Sequence, residues 1–259
     1  MTPERSASYS ILHLCNYSIL ILAIGGGLGF AVLGGFWPPP EAHLSAAEIG
    51  AFFRENSVGI RMGMELMFLC VPFYLTWTAA MARIMERIQK DSMNILPALI
   101  VVSGAVAMLT LLGPPIAWMT AAFRPGVRSN EEIQLLYDLG WFIFDPPFMI
   151  FAIEWGAMGI CMLMDKREKP LFPPWIAWFG FFTCATFIST ALIPFLTTGI
   201  FAWHGLVTFW LVFVTFFVYL FCMVPLTRKA LLRLEAEDQE TACRNVDKLE
   251  IEESSMTTA

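Results

Sequence analysis

Six long apolar segments dominate this sequence and limit what the chain can fold into. An α-helix needs about 20 apolar residues to cross the hydrocarbon core of a bilayer, and each of the six segments is longer than that. Only 15% of the residues are charged, whereas a soluble domain carries about 25%, and the charges cluster between the segments. The sequence therefore predicts an all-α integral membrane protein, folded as a bundle of about six transmembrane helices. The predicted spans are residues 11–36, 57–82, 95–122, 139–164, 173–198 and 204–227.

Basic residues in the connecting loops predict the orientation of the chain. Short cytoplasmic loops of membrane proteins carry an excess of Lys and Arg. The loops on one side hold the denser basic clusters, so we predict that this side and both termini are cytoplasmic, in the plasma (inner) membrane. That side carries Arg83, Arg87, Lys90, Lys166, Arg167, Lys169, Arg228, Lys229 and Arg233, and the other carries Arg54, Arg124 and Arg128 over longer loops.

Two loops on the predicted outer side contain signals for short amphipathic helices. In the first, Ser45 and Glu48 have the spacing of a capping box, and the apolar residues that follow, such as Phe53, share one face. In the second, residues 124–138, Ser129 can cap a helix that leads into the fourth span. We expect both helices to lie on the outer surface of the membrane.

The chain ends in a polar, acidic stretch. Much of the net charge of −6 comes from this stretch, so the net charge says little about the membrane-embedded part. A segment with many charges and few large apolar residues cannot bury enough surface to fold alone. We therefore predict a disordered cytoplasmic tail over residues 236–259, which leaves residues 1–235 as one transmembrane domain.

Charged side chains inside the apolar segments are the main functional signal. Such a group costs about 3 kcal/mol or more at the bilayer centre and by default marks a functional site. At a rise of about 1.5 Å per residue, Arg61 and Glu65 on span 2 and Asp145 on span 4 lie at one level in the outer half. Double prolines in spans 3 and 4 fall at the same level and free backbone carbonyls. We therefore predict a polar, carboxylate-containing cavity there, closed by His204 at the outer end of span 6.

Arg61, Glu65 and Asp145 have distinct expected roles in this cavity. Arg61 is the partner for an anionic group, and Glu65 or Asp145 is the titrating group. Arg61 and Glu65 are four residues apart, so they can pair on one helix face that turns toward the bundle. The alternative is structural: Arg61 snorkels to the membrane surface, Glu65 neutralises it, and Asp145 caps the helix after the proline kink.

Glu154 lies deeper, past the middle of the membrane, where no basic residue shares its depth. The expected partners on other helices are His13, Asn16, Tyr74 and Trp77. One interpretation is a second polar station on an inward path, able to carry a proton. The other is a protonated carboxyl group that hydrogen-bonds a neighbouring helix.

The sequence predicts no cofactor, no metal site and no nucleic-acid surface. The six cysteines contain no C-x-x-C pair, and the three histidines are too scattered along the predicted topology to ligate one haem. No phosphate-binding loop, zinc-protease motif or nucleophile elbow occurs, and no basic patch is interleaved with aromatic residues.

These features leave three functional hypotheses. The first is a protein that binds or transports a small polar or amphiphilic molecule, with proton coupling through the buried carboxylates. The second is a membrane-embedded enzyme that acts on a lipid-soluble substrate by carboxylate acid–base chemistry. The third is an accessory subunit, in a homo-oligomer or a larger membrane complex. The candidate site residues are Arg61, Glu65, Asp145, Glu154 and His204.

Overall fold

The computed structural model describes residues 3–89 and 93–257, and it contains no β-strand among them. Within those residues, six helical spans are long and apolar enough to cross a membrane, which confirms the predicted multi-pass helical protein. Span 4 begins earlier than the sequence suggested, and span 6 continues well beyond residue 227. The spans are Ser6–Leu33, Ser57–Glu86, Ile95–Ala122, Asn130–Leu163, Pro174–Phe195 and Leu206–Asn245.

Several spans change helix type along their length. Prolines cause some of these changes, because proline removes a backbone donor and clashes with the preceding turn. Pro72 separates the two helices of span 2, and Pro146–Phe148 forms a 3₁₀ turn in span 4, whereas span 3 stays helical through Pro114 and Pro115. In chain order the α-helices are α1 (Pro3–Leu20), α2 (Ala46–Glu55), α3 (Ser57–Cys70), α4 (Phe73–Glu86), α5 (Ile95–Ala122), α6 (Asn130–Phe144), α7 (Met149–Leu163), α8 (Pro174–Phe187) and α9 (Val212–Thr257). Span 1 continues past α1 as the π-helical stretches Ile21–Gly26 and Gly29–Leu33, span 5 ends in the 3₁₀ helix Ile188–Phe195, and span 6 begins with the π-helix Leu206–Leu211.

Glycines allow spans 1 and 2 to touch through their backbones. A Cβ atom added at Gly29 would lie 3.1 Å from the amide nitrogen of Met67, and one added at Gly63 would lie 2.6 Å from that of Gly34. Small residues at helix contacts give this close approach in membranes, where packing replaces the hydrophobic effect as the cause of helix association.

The two ends of the bundle differ in construction. We call the end formed by residues 34–56, 123–129 and 196–205 the distal end, and the opposite end, where α1 begins and span 6 finishes, the terminal end. The basic-residue pattern predicts that the terminal end is cytoplasmic. Lys90, which contributed to that pattern, lies outside the described residues.

Hydrogen bonds to the carbonyl oxygen of Pro40 connect elements at the distal end. This oxygen accepts hydrogen bonds from the Tyr137 hydroxyl at 2.6 Å and from Trp203 Nε1 at 3.1 Å. The Ser45–Glu48 capping box is formed at the start of α2. Ser129 also forms one with Glu132, but the helix it caps is α6, which runs on into span 4 as part of the same span. The predicted second loop helix is thus the first part of span 4, because residues 130–144 contain no proline and α6 continues through Gly140.

α9 runs on through the segment predicted as a tail, as far as Thr257. Asp238 receives hydrogen bonds from the Arg87 guanidinium at 2.8 and 3.0 Å and from the Tyr9 hydroxyl at 2.7 Å. Arg233 donates to the carbonyl oxygens of Pro170 and Lys169. These contacts join α9, up to Asp238, to the rest of the terminal end.

Candidate functional site

An apolar cavity of about 80 Å³ lies between spans 1, 2, 3, 4 and 6. More than half of the residues that line it are aromatic, and the wall has almost no polar surface. Phe30 stacks on Phe213 with ring centroids 5.6 Å apart, and Phe144 lies 5.9 Å from the same ring. The cavity found in the structure is therefore apolar, unlike the polar cavity predicted from the charged residues.

Irregular helix segments form the wall of this cavity. Span 1 contributes residues of its two π-helical stretches together with Gly26 and Gly27, and span 4 contributes Phe148 from its 3₁₀ turn. π-Helical turns change the direction of side chains locally and are frequent at functional sites. At Gly27, which lines the cavity, an added Cβ atom would meet no other atom within 4 Å.

The cavity reaches the lateral surface of the bundle. Most of its wall is buried, but Ala31, Trp37 and Phe217 are partly exposed and belong to the wall as well. Ala31 and Trp37 come from span 1 and the loop after it, and Phe217 comes from span 6. The partly exposed side of the cavity therefore lies between these two spans.

Asp145 is a buried residue that follows the lining residue Phe144 in the sequence. It is only 1% exposed and follows the last residue of α6, between Phe144 and Phe148, which both line the cavity. Its Oδ2 atom has no hydrogen-bond partner among the described residues. A buried acceptor without a partner costs about 1–3 kcal/mol, so this carboxyl group reduces stability where it stands.

Glu154 is fully buried and, unlike Asp145, has a hydrogen-bond donor at each of its carboxyl oxygens. Its Oε2 atom accepts from the Tyr74 hydroxyl at 2.6 Å, and its Oε1 atom accepts from Thr78 Oγ1 at 2.8 Å. Trp155 Nε1 donates to the Tyr74 hydroxyl at 3.1 Å, which extends the network by one group. No described basic residue forms an ion pair with Glu154. This arrangement matches the hydrogen-bonded carboxyl group of the structural interpretation.

Gly104 on α5 makes room for the Glu154 network. A Cβ atom added there would lie 2.9 Å from Glu154 Oε1 and 2.7 Å from Thr78 Oγ1. Of the other expected partners, Asn16 instead donates to the carbonyl oxygen of Val224 at 3.0 Å. Sequence reasoning identified Tyr74 but gave no sign of Thr78 or Gly104, because both belong to helices whose rotation about their axes is set by packing.

Arg61 and Glu65 do not join Asp145. Both are exposed on α3, where they line an open groove of about 630 Å³. Met119 of span 3 and Phe123, the residue after that span, complete the groove. Arg61 Nε donates to the carbonyl oxygen of Ser57 at 3.1 Å, one turn toward the distal end, and no ion pair joins it to Glu65 within the described chain. The pair predicted to turn toward the bundle thus faces outward, while Asp145 is enclosed.

His204 lies at the distal end, near two residues that sequence reasoning did not connect with it. Its Nδ1 atom accepts a hydrogen bond from the Ala42 amide at 3.0 Å, and its ring centroid is 5.9 Å from that of His43. Burial lowers the pKa of His204, and the nearby His43 lowers it further, against the opposite effect of Glu41. About 160 residues separate His204 from the loop that holds Glu41 and His43, so no sequence spacing could have indicated the contact.

Comparison of this chain with protein-family models, with curated proteins and with solved structures finds no match in any of the three.

Proposed function

We propose that this membrane protein binds a small lipid-soluble molecule that carries one hydrogen-bonding group. The observation that carries this proposal is the aromatic cavity that opens between spans 1 and 6. Ligand sites are typically concave and mostly apolar, with a few polar groups that fix the ligand's orientation. Asp145 is the polar group that we assign to this role, because its Oδ2 atom is buried without a partner among the described residues and Asp145 follows the lining residue Phe144 in the chain.

The size of the cavity restricts what it can hold. A dry cavity of about 150 Å³ accommodates one benzene molecule, and this one has a volume of about 80 Å³. It can therefore receive an alkyl branch or the edge of a ring, while the rest of the molecule lies between spans 1 and 6 or in the adjoining lipid. A molecule that is wholly polar has no place in it, since an unpaired polar group costs several kcal/mol there.

Selectivity must come from shape and from Asp145. Lipid tails are as apolar as the cavity wall, so moving an apolar group from the bilayer into the cavity gains little from the hydrophobic effect. Aromatic rings that pack against one another at 4.5–7 Å contribute about 0.5–1.5 kcal/mol per pair. A flat or ringed ligand among Phe30, Phe144 and Phe213 would gain from such contacts, and a flexible acyl chain would gain less.

Proton-coupled transport is a weaker extension of the same idea. It would need Glu154 to exchange protons with water, whereas Glu154 is 0% exposed and both of its oxygens are engaged by hydroxyl groups. Binding is thus the function we favour, and movement of the ligand across the membrane would require an opening of spans 2 and 4.

One observation favours the role of accessory subunit as a second candidate. Arg61 and Glu65 are exposed on a span that faces the bilayer, and charged groups in contact with lipid are costly. A partner helix with an acidic and a basic residue at the same depth would satisfy both groups. Recovery of a stoichiometric protein partner that is lost in Arg61→Leu would support this candidate.

The ligand proposal is tested by filling the cavity from Gly27. Wild-type protein is extracted into lipid nanodiscs without detergent, and the organic-soluble molecules that it retains are identified by mass spectrometry. We expect one molecule of defined mass, enriched above bulk lipid in the wild type and lost in Gly27→Leu, because the new side chain occupies the cavity. The matched control is Gly156→Leu, where an added Cβ atom also meets nothing within 4 Å but which does not line the cavity.

Two results would contradict the ligand proposal. One is a wild-type protein that retains no molecule beyond bulk lipid, and the other is equal retention by the wild type and Gly27→Leu. Loss in Gly156→Leu as well would attribute the effect to folding and would also count against the cavity.

A further inference from the structure

The distal end brings together three side chains that can bind a metal ion. Glu41, His43 and His204 each offer a ligand atom, and these atoms lie within 4.8 Å of one another. His43 Nε2 is 3.1 Å from Glu41 Oε2. Two of the three histidines in the whole chain therefore meet beside one carboxylate, although they belong to different loops.

We propose that Glu41, His43 and His204 form a site for a divalent transition-metal ion of the zinc type. Imidazole nitrogen and carboxylate oxygen are ordinary zinc ligands, and three protein ligands with an open fourth position make a recognised type of site. Glu41 and His43 are exposed, so water can fill that fourth position. The site is separate from the ligand cavity and does not depend on the function proposed for it.

The backbone around the three ligands is held in place. The carbonyl oxygen of Pro40, the residue before Glu41, accepts hydrogen bonds from Tyr137 and Trp203. Trp203 in turn is the residue before His204. The two loops are thus joined by hydrogen bonds independent of the metal. Ligand atoms on a tetrahedral zinc ion are about 3.3 Å apart, so the present spacing of up to 4.8 Å must shorten. Rotation of the exposed Glu41 and His43 side chains can shorten these distances without any movement of the backbone.

Metal binding changes the hydrogen bonding of His204. A neutral imidazole has one nitrogen lone pair available in the ring plane, and the Ala42 amide uses it here through Nδ1. A metal ion bound to His204 therefore competes with Ala42 for that lone pair. The loop contact between Ala42 and His204 is exchanged for a contact through the metal ion when the site is loaded.

The test uses zinc as the probe on the full-length protein, purified with a tag that contains no histidine. After equilibration with micromolar free zinc and gel filtration, zinc per chain is measured by elemental mass spectrometry. We expect about one zinc ion per chain in the wild type, and loss of this zinc in His43→Ala and in His204→Ala. The control is His13→Ala, which removes the third histidine, at the terminal end, and should leave the zinc content unchanged.

A second measurement separates ligand loss from misfolding. The thermal unfolding temperature without zinc should be the same for His43→Ala and the wild type, because His43 is an exposed side chain. Zinc should raise this temperature only in the wild type and in His13→Ala. The proposal is overturned if the wild type binds no zinc, if His43→Ala binds as much as the wild type, or if His13→Ala also loses it.

Discussion

At the scale of single residues, the two buried carboxyl groups of span 4 differ in their hydrogen bonding. Glu154 has a hydroxyl donor at each oxygen, whereas the Oδ2 atom of Asp145 has none among the described residues. A satisfied buried group contributes about 0.5–1.5 kcal/mol per hydrogen bond, and an unsatisfied one costs about 1–3 kcal/mol. This contrast is the reason why we propose a ligand-binding role for Asp145 and not for Glu154.

The Tyr74 hydroxyl is the central group of the Glu154 network. It donates to Glu154 Oε2 and accepts from Trp155 Nε1, so Tyr74→Phe leaves these two buried atoms without a partner, while Glu154 Oε1 keeps its bond from Thr78. We expect the free energy of unfolding to fall by about 1–3 kcal/mol. The measurement is the shift of the unfolding midpoint in mixed detergent, compared with the wild type.

Tyr17→Phe is the matched control for Tyr74→Phe. Tyr17 lies on span 1 and is exposed, so the loss of its hydroxyl group should change stability by less than about 0.5 kcal/mol. Equal midpoints for Tyr74→Phe and the wild type would show that the network contributes nothing to stability.

At the scale of helices, close approach at a glycine decides how spans 2, 3 and 4 pack. Span 3 can lie against Thr78 and Glu154 only because Gly104 has no side chain. We expect Gly104→Ala to destabilise the bundle by about 1–3 kcal/mol through overpacking, measured by the same unfolding assay. The hydrogen bonds of Glu154 should lengthen at the same time.

We expect Gly156→Ala, at a matched position, to stabilise the bundle. Gly156 lies on α7, the helix that carries Glu154, and an added Cβ atom meets nothing within 4 Å. Replacing a mid-helix glycine by alanine without a clash stabilises by about 0.5–1 kcal/mol. If both substitutions had the same effect, helix propensity rather than contact at Gly104 would control packing here.

At the scale of the whole molecule, α9 connects span 6 to the other terminal-end elements. Asp238 is 6% exposed and binds Arg87 after span 2 and Tyr9 on span 1, while Arg167 contacts Asp165 at 3.1 Å and Glu237 at 3.9 Å. Glu237 and Asp238 of α9 therefore link span 6 to span 1 and to the loops at the terminal end.

Removal of one charge should release this part of α9. In Asp238→Asn, the amide can no longer accept from both nitrogens of Arg87 and from Tyr9, and hydrogen bonds to charged groups are worth about 1.5–3 kcal/mol each. We expect faster hydrogen–deuterium exchange over residues 236–245, followed by mass spectrometry. Glu240→Gln is the control, because its contact with Arg244 is 3.9 Å long and exposed, and such pairs contribute about 0–1 kcal/mol. Similar exchange in the two variants would contradict this role for Asp238.

The sequence by itself determined the six spans, the Ser45–Glu48 capping box and the cap at Ser129. All are local properties: the length of an apolar run decides whether a helix can cross the bilayer, and a capping box needs only residues three apart. The tertiary structure alone decided that Arg61 and Glu65 face outward, that Asp238 meets Arg87, and that an apolar cavity forms among aromatic residues of spans 1, 4 and 6. Each of these depends on how a helix is rotated about its axis and on contacts with residues far away in the chain. Charge placement marked Asp145 and Glu154 as special, but only their neighbours in space showed that one is satisfied and the other is not.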